Sequence, residues 1–177
     1  RLEELACAAK VLGLKEVFTF GYKDSGMMGS ADNQDPNSLW YNWNQTPDKV
    51  TNQVVDVIRK IQPQVVITFN RYGGYGHPDH IAIQQATVKA VDRAADGDFT
   101  ESSLPPYQVQ KVYFTNVNLI TLRIGIWRAR LKGLNPRKLG RNNDIDLIAV
   151  LENAEQTHTR IDVSRYFDNW MLASACH

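Results

Sequence analysis

With 177 residues, 43% of them hydrophobic and 22% charged, the chain has the size of one domain with a sizeable core and the composition of an ordinary globular protein. A formal net charge of +1 excludes a general nucleic-acid binder that works through bulk positive charge. No apolar run reaches membrane-spanning length and no signal peptide is present; Cys7 and Cys176, far apart, make no disulfide framework, which points to a reduced, cytoplasmic setting. The chain opens at Arg1 rather than Met and stops at His177 inside an expected helix. Both ends therefore read as cut, and residues 1–177 as a single truncated domain.

Leu2, Leu5, Ala9 and Leu12 fall at helical spacing, and Gly13 stops that helix. Val17 to Phe20 reads as a strand. Tyr22 to Gln45 then forms a long polar loop holding Asp24-Ser25-Gly26-Met27 and ending in the aromatic run Leu39 to Trp43. A loop of this length is more often functional than idle, although its tryptophans suit a hydrophobic plug at least as well as a substrate wall. Thr46 caps the next helix, Pro47 takes its first position, and Val50, Val54, Val57, Ile58 and Ile61 form its apolar face. Val65 to Phe69 is a β-branched run that predicts a buried strand, and Ile81 to Ala95 has the composition of a helix.

Beyond a polar connector, Val109 to Thr115 predicts a strand. Leu119 to Arg141 mixes apolar and basic residues with neither period 2 nor period 3.6. It suits a basic lid, a membrane-surface patch or, most simply, a surface insertion. Leu147 to Glu152 is a strand or a helix start. Thr159 to Val163 reads as extended, and Ser164 caps a last helix with Phe167, Met171 and Leu172 on its apolar face. Alternating helices and strands make an α/β layered fold.

The chemistry concentrates in Gly73-Gly74-Tyr75-Gly76-His77-Pro78-Asp79-His80, between the strand at 65–69 and the helix that follows. Glycines admit a tight bend where a ligand leaves no room for Cβ atoms, and Pro78 fits the first helical position. Two imidazoles and a carboxylate then sit at the mouth of a strand-loop-helix unit, where open α/β sheets bind ligands. His77 and His80 are placed to face one pocket, as metal ligands or as groups that stabilise negative charge. The competing reading is a capped turn in which His77 and Asp79 satisfy free backbone N–H groups.

These residues resemble the PIG-L/LmbE-like family of zinc-dependent deacetylases, which act on N-acetylglucosamine-type amines. The 73–80 run matches one family motif. Gly21 to Met27 and Thr159 to Val163 match two more in the family's order, and Arg1 to Gly13 and Ala173 to His177 look like its first and last helices. The resemblance implies a Rossmann-like three-layer sandwich with a mostly parallel sheet. It further implies Zn2+ with His80 as a ligand, His77 as oxyanion donor or acid, and Asp79 tuning His77 by hydrogen bonding. Arg1, Asp24, Met27 and Tyr75 would line the substrate site. Relatives also carry an Ala-His-Pro-Asp-Asp-Glu segment that supplies two zinc ligands and the general base. The 177 residues lack it, so the first β-α unit is expected to be missing and the chain alone inactive.

Substrates on this expectation are small amino-sugar conjugates. The alternatives are an amidase for larger glycosamine conjugates and a carbohydrate-binding pseudoenzyme. The residues do not choose between zinc and iron.

Overall fold

The computed structural model describes residues 2–140 and 142–177. Arg1, expected at the substrate site, lies outside the described residues. The packing divides into two compact units, one formed by residues up to Phe20 with Thr157–His177, the other by Gly21–Gln156. No helix among the described residues is long and apolar enough to cross a membrane.

In the smaller unit, helix α1 (Leu2–Leu12) ends at Gly13 in the left-handed region (φ +67°), as its spacing predicts. The last helix of the chain, Phe167–Ser174, packs on α1, and a disulfide joins Cys7 to Cys176 with Cα atoms 5.8 Å apart. That bond overturns the expectation that cysteines so far apart form no disulfide, and with it the cysteine argument for a reduced setting. Packing of the two terminal helices makes neighbours of residues separated by 169 positions, which spacing alone cannot reveal. Val17 to Phe20 joins no ladder; the strands among the described residues lie elsewhere, in the larger unit. β-branched composition favours extension, but a strand also needs a neighbour to pair with. Ser164 does not cap the last helix. It opens a 3-10 turn, Ser164–Tyr166, and donates its own N–H to Asp162 Oδ1, while Phe167, Met171 and Leu172 stay exposed.

The larger unit is mixed α/β. The expected loop from 22 to 45 contains a 3-10 turn, Ala31–Gln34, and helix α2 (Leu39–Gln45), each begun by a serine whose side chain accepts a backbone N–H: Ser30 from Asp32 and Ser38 from Tyr41. Helix α3 (Pro47–Ile61) follows. Thr46 precedes it without a side-chain cap, its hydroxyl donating back to the Asn42 carbonyl instead. Strand β1 (Val65–Phe69) leads through the short turn α4 (Gly73–Gly76) into helix α5 (Pro78–Ala95) and on to β2 (Lys111–Thr115). β1 and β2 pair in parallel, Val65 opposite Lys111 and Phe69 opposite Thr115. β1 is not the buried strand expected: Val65 is 44% and Ile67 66% exposed, because this two-stranded sheet leaves one face of the strand uncovered among the described residues.

α5 is the central member, packing on α3, α2, α4 and β1. Ala82, Ala86, Ala90 and Ala94 recur every fourth residue and are fully buried, letting the α3 residues Val50, Val54, Val55 and Ile58 approach closely. At the far end of α3, buried Arg59 donates to the carbonyls of Ala94 (3.1 Å), Asp96 (2.7 Å) and Leu104 (2.9 Å), with longer bonds to Arg93, Phe99 and Ser102. One guanidinium thus gathers the turns between α5 and β2. Helices α6 (Leu119–Leu131) and α7 (Leu147–Glu152) complete the unit, capped by Asn118 and Asp146, and α7 lies against α4.

Arg59→Met leaves these carbonyls without their donor, and should cost about 3 kcal/mol in urea unfolding. Arg59→Lys, with a point charge in place of the planar fork, should recover less than half. An unchanged midpoint for Arg59→Met would rule out the carbonyl cage as a support of the fold.

Candidate active site

Three glycines with positive φ bend the chain between β1 and α5: Gly73 (+69°), Gly74 (+76°) and Gly76 (+87°). The crowding that excludes side chains here comes from the chain itself. A Cβ at Gly73 would sit 2.8 Å from Ile81 Cγ1 and 2.9 Å from Ile81 N, where α5 begins. Asn70, buried just before the turn, braces it by accepting N–H groups from Gly73 through its backbone carbonyl and from Gly74 through its side chain, each at 2.8 Å.

His77 is the N-cap of α5, as the capped-turn reading expects, with Pro78 at the first helical position. Its Nδ1 accepts the backbone N–H of Asp79 at 3.2 Å. An acceptor nitrogen carries no proton, so neutral His77 holds its proton on Nε2, which stands 3.9 Å from Asp24 Oδ1.

His80 is held the other way round. Its Nδ1 lies 3.1 Å from the Gly73 carbonyl, which can only accept, so Nδ1 is the donor and the Nε2 lone pair is free. The ring stacks on Phe69 at 3.9 Å between centroids, with the planes 5° apart. Burial pushes the His80 imidazolium below its ordinary pKa, which keeps the ring neutral as a ligand must be. The two rings lie 5.0 Å apart. Tyr75 stands edge-on to both, 5.9 Å from His77 and 5.2 Å from His80. Burial, followed by the charges of Asp24, Asp144 and Asp79, raises its phenol pKa.

The Asp79 side chain does not reach His77 as expected. Its carboxylate is gripped by Ser25, whose backbone N–H donates to Oδ2 at 3.0 Å and whose hydroxyl donates to Oδ1. It is the Asp79 main chain that orients His77. Fully buried Ser25 also accepts the Trp40 N–H at 2.9 Å, and its carbonyl takes a bond from Asn33 Nδ2 at 2.6 Å. The residues from Asp24 to Trp40 are thereby fastened to the start of α5. Asp24 closes an Asx-type turn on Gly26 N (2.8 Å) while its side chain stays 78% exposed; Met27, in the same loop, is half-buried.

Asp24, His77 and Asp79 offer ligand atoms within 4.8 Å of one another, a group able to hold a cation. The hydrogen bonds divide that group: Asp79 is engaged by Ser25 and His77 presents a donor, whereas adjacent His80 presents a free lone pair. Sequence reasoning missed Ser25, Phe69 and Asn70. Ser25 stood inside a quoted motif, but only the fold brings it to Asp79.

The family described as PIG-L: GlcNAc-PI de-N-acetylase matches residues 1–91, just over half of the chain and inclusive of Asp24 and the whole 73–80 turn. The chain belongs to this family. PIG-L relatives include a protein of Frankia alni named 1D-myo-inositol 2-acetamido-2-deoxy-alpha-D-glucopyranoside deacetylase 1, 33% identical over 100% of this chain and 62% of its own length. A Streptomyces griseus protein named as the corresponding deacetylase is 34% identical over 100% of this chain and 54% of its own. The chain thus spans little more than half the length of these relatives. The crystal structure of the conserved protein TT1542 from Thermus thermophilus shares the fold, with a TM-score of 0.55 at 17% identity over 99% of this chain and 55% of that one.

Within this PIG-L site, Ser25→Ala removes the hydroxyl that accepts the Trp40 N–H and should speed hydrogen exchange of that amide by about tenfold or more, the scale of a backbone donor left without its partner. Asp79→Ala should do the same while leaving its N–H to His77 in place. Exchange at the parental rate in both variants would mean that the loop is held by other contacts.

Proposed function

We propose that this chain serves a hydrolase that removes the N-acetyl group from an N-acetylglucosamine-type amine with the help of a bound metal ion, zinc in this reading. The observation that carries the proposal is the opposed hydrogen bonding of the two histidines, one turned to present a lone pair and the other to present a proton. The names of the similar proteins supply the substrate class, a small acetamido-sugar linked to inositol.

His80 fits a metal through Nε2, its Nδ1 anchored on a carbonyl in the way ligating histidines usually are. Asp24, largely exposed, is the freer of the two carboxylates nearby. Catalytic zinc usually takes three protein ligands. The resemblance assigns others to an Ala-His-Pro-Asp-Asp-Glu segment that the 177 residues do not contain. When bound, the ion supplies a Lewis acid for the acetyl carbonyl and a water of lowered pKa.

The chain's own residues do the rest. His77 Nε2–H donates to the oxygen that gains negative charge as the amide carbon becomes tetrahedral. Because Nδ1 is occupied by the Asp79 N–H, His77 serves better as this donor than as an acid that gives up its proton. Tyr75, edge-on to both rings, is the group that closes on the substrate in this reading. In this reading Asp24 and Met27, on the loop that Ser25 pins, meet the sugar, and all three of Asp24, Met27 and Arg1 are assigned there by resemblance.

In the full-length protein, His80→Ala should lose metal and acetate release together. His77→Ala should keep its metal while turnover falls roughly a hundredfold, the usual scale for an oxyanion donor. Metal analysis alongside acetate release decides between the roles; metal lost from His77→Ala and kept in His80→Ala would invert them. The 177-residue chain alone should release no acetate after zinc add-back. Zinc-dependent release by it would show that the ligand set is complete within these residues.

A further inference from the structure

Helix α6 has two apolar sides. One includes Ile126 and Ala129, which are buried, and Gly125, which lies against Leu147 of α7. The other consists of Ile120, Ile124, Trp127 and Leu131, spaced four, three and four residues apart and therefore stacked along one face. These four are 66%, 45%, 60% and 66% exposed. At 100° per residue, Arg128 follows one edge of the stripe, and Arg123 and Arg130 the other. Arg123, Arg128 and Arg130 are all exposed.

The segment itself carries one sign of charge. Residues 119–141 contain seven Lys and Arg and no Asp or Glu. Arg137 is engaged with Asp146 and Glu152, which leaves the positive charge of α6 itself without an acidic residue in its own segment. A partner must therefore offer apolar surface to the stripe and anionic groups along its edges. A bilayer with anionic headgroups does so at any rotation about its normal, with acyl chains below and phosphates on either side. A protein would need an acidic border shaped to this one helix.

We propose that α6 docks in the interface of an anionic lipid surface. Ile120, Ile124, Trp127 and Leu131 enter the acyl boundary, and the arginines that flank them reach up to headgroup phosphates. The docking does not depend on the hydrolase reading, and its test uses no activity. The 177-residue chain is sedimented with vesicles of phosphatidylglycerol in phosphatidylcholine, and with phosphatidylcholine alone, at low and high salt. Binding to the anionic vesicles should be about tenfold or more stronger, and should weaken with salt. The double variants Trp127→Ser/Leu131→Ser and Arg123→Glu/Arg128→Glu should each lose about tenfold or more, with parental circular dichroism and melting. The single variant Ile120→Ser, in the first turn, provides a milder version should a double variant melt early. Equal binding to both vesicle types, folded variants that bind like the parent, or no vesicle binding would each overturn the proposal. Concentration-dependent self-association abolished by Trp127→Ser, without vesicle binding, would assign the stripe to a contact between copies instead.

Discussion

Everything at the site hangs on the grip of Ser25 on the Asp79 carboxylate. Two donors from one buried residue hold both oxygens of a charged group at the first turn of α5. The same serine holds the Trp40 amide and, through its carbonyl, the Asn33 side chain. A long polar loop, costly to order on its own, is thus set beside the imidazoles by a handful of charge-assisted or buried bonds. Without them Asp24 would have no fixed distance to His77, and the ligand atoms of Asp24, His77 and Asp79 would not lie within 4.8 Å of one another.

The support beneath is rigid where the site needs it. The alanine column of α5 brings α3 close, and Arg59 locks the carbonyls around the C-terminal end of α5. At the other end, Gly73 has room for no side chain, and its carbonyl fixes which nitrogen of His80 is free. Backbone geometry at one glycine is thereby converted into the chemical character of an imidazole in the first turn of α5. His77 receives the opposite character from the same turn, through the Asp79 amide. Two identical side chains thus present a free lone pair and a proton without any difference in their own covalent chemistry.

How far the sequence revealed this depended on how local the cause was. The 73–80 turn, Pro78 and the helix after it were legible because glycine φ values and proline placement are decided within a few residues. The helical turns missed at 31 and 39 also had local signals, in Ser30 and Ser38, which the aromatic run obscured. The Cys7–Cys176 bond, the Ser25 grip and the absence of a ladder at 17–20 depend on distant partners, about which spacing is silent. Helix α6 defeated periodicity for a different reason. Its two apolar sides interleave, so no single stripe stands out, although each alone has helical spacing. The mixed α/β class with a parallel sheet survived these misses, and so did the family resemblance, because both rest on several local blocks in order.

The central claim is that one turn sets the two histidines in opposite tautomers. Long-range proton–nitrogen correlation spectra of the chain with nitrogen-labelled histidine, recorded above the titration of both rings, read this directly. The account predicts a proton on Nε2 of His77 and on Nδ1 of His80, each assigned by loss of its signals in the alanine variant. The same tautomer at both positions, or the reverse assignment, would contradict it.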